Sequence, residues 1–457
     1  MARTLSVASL LKLEDLASSA SDPAAVSYLR ALIENADDID CYKVNAFRVA
    51  AEIGVSRPAS LRALLFATRL GLFDLNWDVR CPSCTGTPDF HRHLMQLQRS
   101  AHCGLCNLKW EVEFDEQVEV TFTVNPDVRK LDVRDFRLLV FPENIAYFNT
   151  INGREKRLPH ARVMCDPHTN ATLEMALLPG QYRYEIPGYP DVGGNIFVSD
   201  GPSVLDQKAA IAVSADGSID VRTLKFAPGI VKVSIAFGFG QHWPLLVQRV
   251  ETPTNWVSAA YVTSQQDFRD LFSGEFLAPG LSFAMRSITL MFTDIRGSTE
   301  MYETLGDGSA YALVQEHFKL MSDAIREHEG AIVKTIGDAV MAAFPLNANA
   351  VRAALAIQSG FSAHAGRLKG VEVKIGLHRG PTIAVTSNRA LDYFGRTVNV
   401  AARVQGKARP RQVLLSEAVL SDPAVRTLLD ERGIAIEPFE AHLKGVAKPM
   451  SLGSVSP

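Results

Sequence analysis

No stretch of this chain stays apolar for the ~18 residues that a membrane-crossing helix needs. The N-terminal LSVASLLKL is too short and runs straight into Glu14 and Asp15, so it reads as the start of a helix and not as an export signal. Excess charge is also missing. The 457 residues carry 47 basic and 50 acidic side chains, a formal net charge of −3, which calls for no polyanionic partner. Cysteine is scarce, at six residues, and no internal repeat or low-complexity segment occurs. With no export signal the expected compartment is the cytoplasm, where thiols stay reduced. What remains is ordinary: 47% hydrophobic and 21% charged residues, enough for about two to four domains with real cores.

Residues 1–80 read as helical. VSYLRALIENA and NAFRVAAEIG repeat apolar residues at three- and four-residue steps, and the turn GVSRPAS leads into LRALLFATRLGLF. Helix, glycine turn, helix is the outline of a helix-turn-helix, as in a winged-helix-like unit, with Pro58 suited to a first helical turn. Between residues 41 and 80 lie Lys43, Arg48, Arg57, Arg62, Arg69 and Arg80 against Glu52, Asp74 and Asp78. That small surplus favours protein docking over DNA contact.

Four of the six cysteines fall in two pairs. Cys81 and Cys84 form CPSC, and Cys103 and Cys106 form CGLC, with eighteen residues between the pairs. Two knuckles at that separation predict a zinc ribbon over 81–111, with one closed, structural Zn²⁺ held by four sulfurs. His91, His93 and His102 are then surface residues, and Cys41 and Cys165 are inert.

From 112 to 262 the period changes to two. WEVEFDEQVEVTFTV, GQYRYEI, AAIAVSADGSIDV and GIVKVSIAFGF alternate between turn signals, which predicts a β-sandwich-like middle domain. A helical connector follows over 263–286.

The last segment, 287–457, orders its elements β-α-β-β-α-β, predicting a ferredoxin-like sheet. In that topology Asp294, at the end of the strand SITLMFTD, approaches Asp338, in the tight turn between AIVKTI and VMAAF. Two adjacent carboxylates repel, and hard divalent cations such as Mg²⁺ or Mn²⁺ resolve the conflict. In LDYFGRTVNVAARV, Asn399 and Arg403 stand four apart on one helix face, an amide and a guanidinium suited to a ribose and a developing phosphate charge.

Taken together, FTDIRGST, KTIGDAVMAAF, IGLHRGP and LDYFGRTVNVAARV resemble the catalytic domain of class III nucleotidyl cyclases. The helical, zinc-ribbon and β-rich parts before it resemble, more loosely, bacterial multidomain adenylate cyclases. The resemblance implies an α+β catalytic domain in which Asp294 and Asp338 hold two divalent metals. Ile295, Gly297, Ser298 and Thr299 would wrap the triphosphate. Lys334 and Asp392 would read adenine, Asn399 would orient the ribose, Arg403 would stabilise the transition state, and Lys444 in HLKG would contact the terminal phosphates. In the family the two metal aspartates and the Lys, Asp, Asn and Arg set come from different subunits, so one copy of each implies a homodimer with two sites. The implied activity is ATP to cyclic AMP and pyrophosphate, regulated by a ligand or protein at the N-terminal half. The competing readings are an inactive cyclase-fold nucleotide sensor and a DNA-binding regulator.

Overall fold

Four capped helices open the chain: Val7–Ser18, Pro23–Asn35, Ala46–Ile53 and Arg57–Arg69. The side chains of Ser6, Asp22, Asn45 and Ser56 accept hydrogen bonds from the first-turn backbone N–H groups. Gly54, at φ 71°, ends the third helix, and the fourth buries Leu61, Leu64 and Leu65. The computed structural model describes residues 5–456 except 20, 39, 83–86, 88, 104–107, 132–159, 187–188, 222, 251–255, 297–306, 365, 367–370 and 447. Among the described residues no helix is long and apolar enough to cross a membrane.

The helices are followed by an antiparallel sheet in which Phe73–Val79 lies between Asp89–His91 and Val118–Val124. This corrects one expectation. The strand VEVTFTV reads in sequence as part of the middle domain, yet it pairs with Phe73–Val79 along its whole length, from Phe73↔Val124 to Val79↔Val118. Six of its seven residues are buried, so it needs cover on both faces, which the N-terminal core provides. Nearby, Ser100–Cys103 and Leu108–Glu111 form a hairpin. Cys81 is buried, while Cys84 and Cys106 lie outside the described residues. Cys41 and Cys165 are buried as well, and burial pushes the Cys165 thiol up to about 11.

Several of the cations counted towards DNA contact are engaged within the fold, and Lys43 and Arg80 are buried. Lys43 pairs with Asp78 at 2.9 Å, both buried, and Arg80 pairs with Glu119 at 3.1 Å. Arg62 pairs with Asp267 at 2.7 Å, and Arg57 lies over the Phe47 ring. At least four of the six are thus engaged within the fold.

Two sheets make the middle region. Gly229–Phe237 sits between Val204–Val213 and Thr169–Leu177; the other sheet orders Thr223–Phe226, Tyr189–Val198, Gly180–Ile186, Trp243–Val250 and Ala161–Cys165. Alternate residues from both, such as Val231, Ile235, Tyr182 and Leu245, enter one core.

The C-terminal region is built on a long twisted sheet. Its elements are β1 (Phe283–Arg296), α1 (Asp307–Glu327), β2 (Ala331–Ile336), β3 (Ala339–Phe344), α2 (Asn347–Ala363), β4 (Glu372–Ser387), β5 (Ala390–Phe394), α3 (Arg396–Gln405) and β6 (Val413–Ser416), followed by two short helices and the closing strands Glu437–Ala441 and Met450–Val455. The order β2-β3-β1-β4 is the ferredoxin-like arrangement expected from the sequence. Strand alternation assigns the two faces. Met291, Ala342, Phe344, Ile375 and Leu377 pack with α1 and α2, whereas Leu290, Phe292, Met341 and Ala343 join the core of the N-terminal unit.

Candidate active site

The acid pair stands at one end of the β1–β3 ladder. That ladder runs to Phe292↔Met341, and one step further the Val340 N–H donates to Thr293 Oγ1 at 3.1 Å. Asp294 comes directly after Thr293 on β1, and Asp338 two residues before Val340. Gly337 takes the first position of the two-residue turn at φ 62°, which favours glycine and leaves Asp338 at the tip. Among the described residues Asp338 Oδ2 is buried without a hydrogen-bond partner. Asp294 Oδ2 holds Lys374 Nζ at 2.5 Å, and these two residues are register partners across β1 and β4. A buried acceptor without a donor, beside a carboxylate already drawn to a cation, fits the binding of positive charge. Among the described residues no three His, Cys, Asp or Glu side chains group as a metal site. Mg²⁺ needs fewer, since it commonly takes one or two carboxylates and completes its shell with water and substrate phosphate.

After Asp294 the strand continues. Ile295 pairs with Val373 and buries its side chain in the core, leaving only its backbone for a ligand. Gly297, Ser298 and Thr299 lie outside the described residues.

The second group gathers around β2, β5 and α3. Lys334 Nζ on β2 meets Asp392 Oδ2 on β5 at 2.7 Å, although 57 residues separate them in sequence. The other Asp392 oxygen accepts from the Tyr393 N–H at 2.8 Å, which fixes the carboxylate. Lys334 is more exposed, 39% against 13% for Asp392, so the pair has one open side. Asn399 is exposed on α3, and Arg403 lies one turn further along it. The Arg403 guanidinium lies over Gly445, where an added Cβ would stand 3.1 Å from Nη1, so Arg403 and the HLKG loop with Lys444 converge. Among the described residues no hydrogen bond or ion pair joins Asp294 or Asp338 to Lys334, Asp392, Asn399 or Arg403.

Two glycines of IGLHRGP, Gly376 and Gly380, set α3 in place. A Cβ on Gly376 would come within 2.2 Å of the Gln405 backbone nitrogen, and one on Gly380 within 2.7 Å of Thr397 Oγ1. They let both ends of α3 rest on β4, on the face opposite α1 and α2. Two glycines four apart inside a strand pattern are the signal for such close approach. The place of Lys374 opposite Asp294 becomes visible only once the β1–β4 register is known. Between the glycines, burial pushes His378 down to about 4, so it is neutral near neutral pH, with Nδ1 on Ser416 Oγ at 2.8 Å. Arg379 Nε donates to Ser287 Oγ, bracing β1 against β4.

Residues 282–438 match the adenylate and guanylate cyclase catalytic domain, and residues 8–156 match a family of unknown function, DUF5939. An adenylate cyclase of Anabaena cylindrica is 33% identical over 152 residues, 30% of this chain. Adenylate cyclase 1 of Rhizobium meliloti (strain 1021) is 30% identical over 181 residues, 36% of this chain. The alignments span only 30% and 27% of those relatives' own lengths. The crystal structure of the adenylyl cyclase CyaB from P. aeruginosa is 23% identical, covers 39% of this chain and 96% of its own, and gives a TM-score of 0.34. The C-terminal segment thus belongs to the class III nucleotidyl cyclases, the adenylate and guanylate cyclase catalytic-domain family.

Proposed function

We propose that this chain is an adenylate cyclase, which converts ATP into 3′,5′-cyclic AMP and pyrophosphate at a site completed between two copies of the chain. The observation that carries the reading is the Lys334–Asp392 pair at 2.7 Å. Adenine presents an acceptor at N1 and a donor at N6. An ammonium beside a carboxylate matches that order, and guanine, with O6 and N1–H, reverses it.

In the reaction the ribose 3′-oxygen forms a bond to the α-phosphorus, the bond to the β-phosphate oxygen breaks, and the hydroxyl proton is released. Asn399 orients the ribose, and Arg403 meets the charge that grows on the phosphorus oxygens. Lys444, on the loop under Arg403, holds the departing phosphates, with the IRGST backbone wrapping them. Two divalent cations at Asp294 and Asp338 would supply an acidified 3′-hydroxyl and counter-charge for pyrophosphate. The family's division of the acid pair and the Lys, Asp, Asn and Arg group between subunits, with one copy of each in this chain, supports a homodimer in which each copy lends one half to each site.

The N-terminal unit shares one core with the catalytic sheet, which supports a regulatory role. The CPSC and CGLC spacing supports one structural zinc there; metal analysis should find about one ion per chain, lost in Cys81→Ser. The function is tested by incubating purified full-length protein with ATP and Mg²⁺ or Mn²⁺. Cyclic AMP should form, and Asp294→Ala and Asp338→Ala should abolish it. Inert protein that still binds ATP would favour the sensor reading, and equal turnover of GTP would remove the base-reading argument.

A further inference from the structure

The helix Gln266–Leu271, just before the catalytic sheet, touches both strands of the base-reading pair. Gln266 Oε1 accepts from the Ile332 N–H at 2.7 Å. Ile332 lies two residues from Lys334, where the β2–β3 register slips, so this side chain supports the irregularity from which Lys334 projects. Arg269 Nη1 donates to the Leu391 carbonyl at 2.9 Å, next to Asp392. The same guanidinium lies over the ring of Tyr393, on the other side of Asp392, at 5.7 Å. Arg269 is anchored through Nε to the Thr263 carbonyl at 2.9 Å.

The helix is fixed on its far side too. Asp267 takes Arg62 of the N-terminal unit at 2.7 Å and Arg326 of α1 at 2.6 Å, and Asp270 takes the second Arg326 nitrogen. Phe268 meets the Trp77 ring edge-on at 5.8 Å. A single short helix therefore joins the N-terminal core to the backbone beside both Lys334 and Asp392.

We propose that Gln266 and Arg269 are positioning residues that set the spacing and aim of the Lys334–Asp392 pair, and so the strength of adenine recognition. This rests on the reading of that pair as the base contact. Neither side chain takes part in the bond changes, so the effect should fall on nucleotide selection and not on turnover.

The test uses full-length Arg269→Gln, Arg269→Lys and Gln266→Leu. For Arg269→Gln, KM for ATP should rise about tenfold, the weight of one charge-assisted hydrogen bond, with kcat within about twofold. The preference for ATP over GTP should fall in parallel. Arg269→Lys, which keeps a donor, should recover part of both, and Gln266→Leu should shift them in the same direction through the Lys334 side. A fall in kcat with KM and the ATP-to-GTP preference unchanged would overturn the proposal, because the helix would then act on the chemistry or on the fold as a whole. If the wild-type protein makes no cyclic nucleotide, the functional reading fails separately. Equilibrium binding of ATP and GTP then decides the present one: a lost preference in Arg269→Gln supports it, and an unchanged preference overturns it.

Discussion

The two halves of the candidate site differ in how complete they are within one chain. The Lys334–Asp392 half is charge-balanced, with one Asp392 oxygen on the lysine and the other on a backbone N–H. The acid half is unbalanced, with Asp338 Oδ2 unpartnered among the described residues and Asp294 holding a lysine from the neighbouring strand. A preformed pair reads shape at little reorganisation cost. A frustrated pair awaits something that brings charge, and its instability without that partner is the expected companion of its function.

The sharpest way to break this contrast is Asp338→Asn. It removes one carboxylate charge of the frustrated half while keeping the side chain's size. Cyclic AMP formation should fall by about a thousandfold or more. Thermal stability should hold or rise by a few degrees, because an unmet buried acceptor costs about 1–3 kcal/mol. A clear loss of stability measured by calorimetry would mean that Asp338 is already satisfied, and the contrast would disappear. Asp392→Asn attacks the balanced half. It should reduce discrimination for ATP over GTP by about tenfold, since a paired polar contact to a base is worth about 1–3 kcal/mol, with a smaller change in kcat. An unchanged ratio in a competition assay would detach the pair from base reading.

These outcomes bear on what the sequence could and could not reveal. The acid pair was legible because a β-α-β-β order brings the end of β1 beside the β2–β3 turn whatever the side chains do. Lys334 and Asp392 were legible only through the family motif: they are far apart in sequence, and their 2.7 Å contact depends on how β5 folds back along β4. Lys374 was invisible because strand register is fixed by packing across the whole sheet. For the same reason VEVTFTV was given to the wrong neighbour. An apolar, alternating strand states its period but not its partner, and here the partner lies some forty residues upstream, across the cysteine segment.

The smallest effect expected, and the one most particular to the acid half, concerns Lys374. Its ammonium stands 2.5 Å from Asp294 Oδ2, with the two side chains about a quarter and a third exposed. A cation arriving at Asp294 must share that oxygen with the lysine or displace it. The pair is partly solvated, so the competition should be modest. Lys374→Gln should therefore tighten Mn²⁺ binding, measured by calorimetry on the full-length protein, by about two- to fivefold, as expected for an ion pair worth up to about 1 kcal/mol. The gain should shrink at high salt, where the lysine is already screened. Weaker Mn²⁺ binding in the variant would give the opposite picture, in which Lys374 holds the carboxylate in the orientation the metal needs. The acid half would then be preformed as well, and the difference between the two halves would reduce to the orphaned oxygen of Asp338.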